Sequence, residues 1–232
     1  MIKKLPHSKM GKSDLGWLQS IFHFSFADYY NPQNIHFGAL RVINDDLIHP
    51  GKGFGSHPHD NMEIISYVVD GALTHKDSMG HERSLVRGEV QYMSAGTGVV
   101  HSEYNLGKEM CRILQIWILP DAKGHKPHYG DIQPEWKERE NKWLHLVSKK
   151  GGAAPIVIHQ DFNIHVATLD AGKTLSFEVG QGRQAYVVQI EGKAQVNDSI
   201  ELDARDGLET VGESLRFKAQ EDSHVMVLEM AS

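Results

Sequence analysis

Apolar and polar positions along this chain alternate in short runs broken by Gly, Asn and Asp, which is the period of β-strands rather than helices. Residues 37–43 (FGALRVI), closed by the turn-forming Asn44-Asp45-Asp46, read as one strand. Residues 62–71, 73–77, 89–95, 99–105 and 111–120 read as five more, with turn residues recurring about every ten positions. The pattern predicts an all-β protein of sandwich or barrel type. Helical periodicity is scarce and is confined to short turns within 17–30 and 134–141.

From Pro120 to Pro155 the composition shifts toward polar residues, Gly and Pro, and this stretch reads as a crossover between two domains. The second half looks like a degraded copy of the first. SYVVDGALTH (66–75) resembles VVQIEGKAQV (187–196), and SLVRGEVQYMSAG (84–96) resembles LDARDGLETVGES (202–214). Counting back fourteen residues from Gly71 and Gly192 reaches His57 in one half and Glu178 in the other. Counting thirteen onward from Gly88 and Gly207 reaches His101 and Gln220. The frame is kept and the histidines are not. The expected division is therefore 1–133, a metal-binding domain, and 134–232, a copy without metal ligands.

Composition narrows the field. The chain has 232 residues, 40% of them hydrophobic, and no apolar run long enough to span a bilayer, so no membrane role is expected. The first residues are basic but lack an apolar stretch, so no signal peptide is read from them. A net charge of −6, with Lys and Arg scattered rather than striped, argues against direct nucleic-acid binding. The lone cysteine, Cys111, excludes an intramolecular disulfide and fits a reducing cytoplasm, and its strand-like surroundings predict a buried, inert thiol.

Chemistry concentrates in two places: Gly51-x₅-His57-x-His59, and His101-x-Glu103 about forty residues later. In a strand, residues i and i+2 point to the same face, so each pair aims two metal-capable side chains in one direction. Three imidazoles and a carboxylate suit a divalent first-row transition metal. With 15 histidines present, one His-x-His pair is expected by chance; the weight lies in the combination with Gly88, Gly96 and the spacing to His101. Together these match the two motifs of the cupin superfamily, G-x₅-H-x-H-x₃-E and G-x₅-P-x-G-x₂-H-x₃-N. Ser94 replaces the proline and two extra residues precede His101, while Asn105 is in place. Spacing alone leaves two carboxylates in competition: Glu63, four residues after His59, and Glu103, on the same strand face as His101.

The stretches WLQSIFHFSFADYY, FGALRVINDDLIHPGKGFGSHPHDNMEIISYVVDGALTHKDSMG and MSAGTGVVHSEYN closely resemble the pirin family, including its bacterial quercetinase members. The resemblance is strongest over residues 15–120. It implies a bicupin, two tandem antiparallel β-barrels or jelly rolls, with ligands His57, His59, His101 and Glu103. Glu63 then supports the ligands rather than joining them, and His23 is expected as a core or supporting residue near the pocket. The metal implied is Fe²⁺, with Mn, Co, Ni, Cu or Zn also compatible with such donors.

The activity implied is a dioxygenase that opens the central ring of a flavonol such as quercetin with O₂ and releases CO, Glu103 taking the 3-hydroxyl proton as general base. An alternative is a non-catalytic regulator acting on protein partners through the redox state of its metal. A carrier or sugar-modifying cupin is a third. Tandem barrels that bury each other's open side make a monomer the expected state. The other histidines singled out, His75, His81, His125, His128, His145, His159, His165 and His224, read as surface or ordinary core residues, and Trp17, Phe22, Phe24 and Phe26 as packing. GTGVVHSE and GKGFGSH lack the features of dinucleotide and phosphate loops, and Ser102 should point away from the metal.

Overall fold

The structure, a computed structural model, describes residues 2–232 and is β throughout apart from two single-turn 3₁₀ helices, His7–Lys9 and Trp136–Arg139. In chain order the strands are β1 (Ile2–Leu5), β2 (Gly11–Asp14), β3 (Leu18–Phe22), β4 (Leu40–Ile48), β5 (Gly53–His59), β6 (Glu63–Asp70), β7 (Ala72–Asp77) and β8 (Glu82–Val86). Then come β9 (Val90–Ser94), β10 (Val99–Tyr104), β11 (Cys111–Ile118), β12 (His128–Ile132), β13 (Leu144–Lys149), β14 (Ile156–Ile158) and β15 (Phe162–Leu169). The last are β16 (Thr174–Phe177), β17 (Arg183–Glu191), β18 (Ala194–Val196), β19 (Ile200–Leu202), β20 (Gly207–Val211), β21 (Leu215–Ala219) and β22 (Ser223–Ala231).

The chain forms two units. Gly11–Pro134 with Ile158–Gln160 is one; residues 2–10, Glu135–Val157 and Asp161–Ser232 are the other. The first contains a seven-stranded sheet, β12-β9-β6-β11-β4-β3-β2, and a four-stranded sheet, β5-β10-β7-β8. The second repeats the plan with β1-β20-β17-β22-β15-β13-β14 and β16-β21-β18-β19. Each unit is thus a pair of open sheets; the hydrogen bonding does not close them into barrels. The first residues, read from sequence with the metal-binding domain, lie instead in the second unit, because β1 pairs antiparallel with β20 and Lys4 Nζ sits 2.8 Å from Asp206. Nor is the Pro120–Pro155 stretch a bare crossover: β12 pairs with β9, and β13 with β15.

Two local expectations change. Asn44-Asp45-Asp46 is not a turn but the middle of β4, with the three residues 4%, 1% and 2% exposed. Buried acids persist in a strand only when partnered. Asp45 accepts from Arg112 Nε and Nη2 at 2.9 and 2.7 Å, and Asp46 from the Ser20 hydroxyl at 2.5 Å. Residues 17–30 hold strand β3 and a loop instead of helical turns, whereas 134–141 does contain the 3₁₀ turn Trp136–Arg139.

The space between the first unit's two sheets changes character along its length. At one end Ile48, Val68, Cys111 and Ile113 of the large sheet pack with Leu73 and Leu85 of the small one. Burial pushes the Cys111 thiol up to about 12, as befits an inert side chain. Further along the same faces polar side chains take over, and strand register lines them up: Ser20 opposite Asp46, Asn44 opposite Gln115, Gln115 opposite Ser66, and Ser66 opposite Gln91. An apolar interior that turns polar over one row of residues marks where the fold has been given over to a site.

Candidate metal centre

Strands β5 and β10 pair antiparallel with His57 opposite His101 and His59 opposite Val99. Strand alternation puts His57 and His59 on one face, and the pairing brings His101 against them. Ring centroids lie 4.8 Å (His57–His59), 4.5 Å (His57–His101) and 5.0 Å (His59–His101) apart. Their ligand atoms all fall within 4.8 Å of one another. The register slips between His101 and Glu103, so β5 carries an extra residue around Gly55-Ser56. The bulge turns Phe54 inward alongside His57 despite their odd spacing, and Phe54 packs edge-on against Trp17 at 5.7 Å.

The donor set fits a divalent metal on its own chemistry. His57 Nδ1 lies 2.7 Å from the Gly55 carbonyl oxygen, to which it can only donate, so its Nε2 lone pair is free. His101 Nε2 is buried with no hydrogen-bond partner among the described residues. Burial, then the charge of neighbouring imidazoles, holds His59 down at about 4 and His101 at about 3. Both rings are therefore neutral at physiological pH, the state in which imidazole binds metal.

Glu103 is 1% exposed and faces the same cavity as the three histidines. Its Oε1 accepts from Ser66 Oγ at 2.8 Å and from the Gln91 amide, and its Oε2 from Gln115 Nε2 at 2.6 Å. Its ligand atom groups with those of His75 and His101, not with His57 and His59. The four residues expected to share one ion thus form two overlapping groups with His101 in common. Glu63 stands apart. It has the parity of Ile65 and Tyr67 on β6, opposite to Ser66, and its carboxylate accepts from Tyr92 and Ser94 hydroxyls at 2.6 and 2.7 Å. His23 is fully buried and lines neither group; its backbone N–H donates to Ile43. Asn105 pins the turn after β10, donating to the Ile48 and Glu109 carbonyls at 2.9 and 2.7 Å.

A cavity of about 510 Å³ opens on this group, a size that takes a small organic ligand. Trp17, Phe22, Phe26, Phe54 and Trp117 form its apolar walls, and Trp117 meets His59 edge-on at 4.9 Å. Phe24, by contrast, is a core residue at 1% exposure. Asn44, Asp46, Gln115 and Glu103 supply the polar side. Two of the residues that matter escaped the sequence reading. His75, taken there for an ordinary histidine, is fully buried beside His101; the same i, i+2 logic applied to His75 and Asp77 would have found it. Asp46 was hidden by its resemblance to a turn. In the second unit Glu178 and Gln220 are exposed, and an apolar cluster including Leu169, Phe177, Val187 and Val227 fills the interior.

The family description Pirin matches residues 5–118, and Quercetinase C-terminal cupin domain matches residues 145–230. A pirin-like protein of Caulobacter vibrioides is 43% identical over the full length of both chains. A protein of Escherichia coli K12 named quercetin 2,3-dioxygenase is 36% identical over 99% of each chain. The crystal structure of YhhW from Escherichia coli superposes with a TM-score of 0.94 at 35% identity, covering 99% of this chain and 97% of that one. The crystal structure of the same bacterial pirin in complex with nickel(II) gives 0.91 at 34% identity, covering 100% and 99%.

Proposed function

This chain belongs to the pirin family of two-cupin proteins, and from that premise we propose that it is a metal-dependent dioxygenase that opens the central ring of a flavonol with O₂ and releases CO. The observation that carries the reading is the presence of three clustered imidazoles and a buried carboxylate on one aromatic-walled cavity. His57, His59 and His101 would hold the ion, with Glu103 completing the set, and iron(II) is the proposed native metal. When bound, the ion supplies Lewis-acid stabilisation of the flavonol 3-oxyanion.

The protein's own residues do the rest. Trp17, Phe54 and Trp117 offer faces and edges for flat aromatic rings and keep water from the reacting carbons. Glu103 accepts the 3-hydroxyl proton as general base, and Ser66, Gln91 and Gln115 hold its carboxylate in place. The E. coli relative named quercetin 2,3-dioxygenase and the nickel-bound pirin support the reaction class and the divalent ion respectively.

Protein reconstituted with Fe²⁺, Ni²⁺ or Co²⁺ and incubated with quercetin under air should consume the flavonol and evolve CO. Inertness with all three would sink the reaction. Glu103→Gln should lower turnover by about 10²–10⁴-fold while changing metal affinity much less. Wild-type turnover in that variant would remove Glu103 from the role of base.

A further inference from the structure

The hydrogen bonds around His75 have a direction that can be assigned atom by atom. They begin at Asp77, whose side chain is 0% exposed. Its carboxylate accepts the backbone N–H groups of Met79 and His81 at 2.8 and 3.1 Å, and the His81 ring at 3.0 Å. An ionised carboxylate only accepts, so His75 Nε2, 3.1 Å from Asp77 Oδ2, carries the proton and donates it. A neutral imidazole protonated at Nε2 has a bare Nδ1. That Nδ1 lies 3.5 Å from Nδ1 of His101, so the proton between the two rings belongs to His101. His101 Nε2 is then left as a lone pair, and it is this buried atom that lacks a hydrogen-bond partner. The opposite direction would leave an N–H buried without an acceptor, a costly arrangement.

We propose that Asp77 and His75 are positioning residues that lock His101 in its Nδ1-protonated tautomer, so that its Nε2 lone pair is held ready for the metal. Strand pairing supports the arrangement: Asp77 stands opposite His101 and His75 opposite Glu103 on β7 and β10. Stacking fixes the ring planes, since Tyr129 lies over His75 at 4.7 Å and 19° and over His81 at 4.8 Å and 24°. His75 is accordingly a support for the ligand His101 and not part of a second cage. Both nitrogens of His75 are engaged.

The inference rests on His101 being a metal ligand and not on flavonol cleavage. Long-range ¹H–¹⁵N correlation spectra of the metal-free wild-type protein should show His101 protonated at Nδ1 and His75 at Nε2. His101 protonated at Nε2 would overturn the proposal without any variant. His75→Phe keeps a ring against Tyr129 but breaks the relay. It should shift His101 toward the Nε2-protonated form and weaken Ni²⁺ binding about 10–100-fold in competition with a chromophoric chelator. His75→Gln can accept from His101 and donate to Asp77, so it should restore tautomer and affinity. An unchanged His101 spectrum and unchanged Ni²⁺ affinity in a folded His75→Phe variant would refute the relay. Wild-type protein that carries the expected tautomers, binds Ni²⁺ and leaves quercetin intact would overturn the reaction and uphold the relay.

Discussion

Asp46 occupies the least comfortable position in the first unit. Burial raises its carboxyl to about 7, with the Ser20 hydroxyl pulling down and Asp45 and Glu103 pushing up. Between the ordinary value of 3.8 and about 7, the folded state binds the proton that the unfolded state has released. Stability contributed by the neutral acid is therefore full below that range and is lost as pH rises through it. Asp46→Asn should raise the melting temperature of metal-free protein at pH 8, by at most about 4 kcal/mol of stability, and change little at pH 3.5. Equal differences at the two pH values would show that the carboxyl is not destabilising. An acid kept at such cost on a cavity wall is a mark of function. Nothing in Asn44-Asp45-Asp46 as a string distinguishes a turn from a buried strand, because what decides is pairing on both edges by β3 and β11. His57, His59 and His101 were legible because their spacing carries the periodicity of strands; the same spacing pairs His75 with Asp77, but placing that pair beside His101 required knowing that β7 adjoins β10.

Among the elements, the pairing of β5 with β10 makes the centre. It depends on a close approach at Gly53, where an added Cβ would meet the Glu103 carbonyl oxygen at 2.2 Å and Tyr104 Cα at 2.5 Å. Backbone atoms cannot yield, so Gly53→Ala should pry β5 from β10 and carry His57 and His59 away from His101. Ni²⁺ affinity should fall at least about tenfold, with a loss of stability of about 1–3 kcal/mol. Gly55→Ala makes a fair control: its added Cβ would come no nearer than 3.7 Å, to the Tyr104 hydroxyl, and both quantities should hardly move. Equal behaviour of the two variants would mean the strands tolerate separation. The glycine-rich approach to His57 is visible in the sequence, but its purpose is not. The bulge that swings Phe54 inward depends on register, which a single strand does not declare.

For the molecule as a whole, the repeated glycine spacing revealed two cupin units and the loss of histidines from the second. The exchange of β1 was invisible: IKKL is four residues long and mostly half-buried, too little to signal a partner. Deleting residues 2–9 should lower the melting temperature of the second unit by stripping β20 of its edge partner and Asp206 of Lys4 and His7. Ni²⁺ affinity, which belongs to the first unit, should remain; a parallel loss would show that the strand matters to both. Lys3 and Glu209, joined by an ion pair in this pairing, are 206 positions apart in sequence. During synthesis β1 thus leaves the ribosome long before its mate exists, and the first cupin unit can fold while that strand waits in solution. That shared sheet is completed only once β20 has been made, so a segment translated before the first cupin finds its place after it.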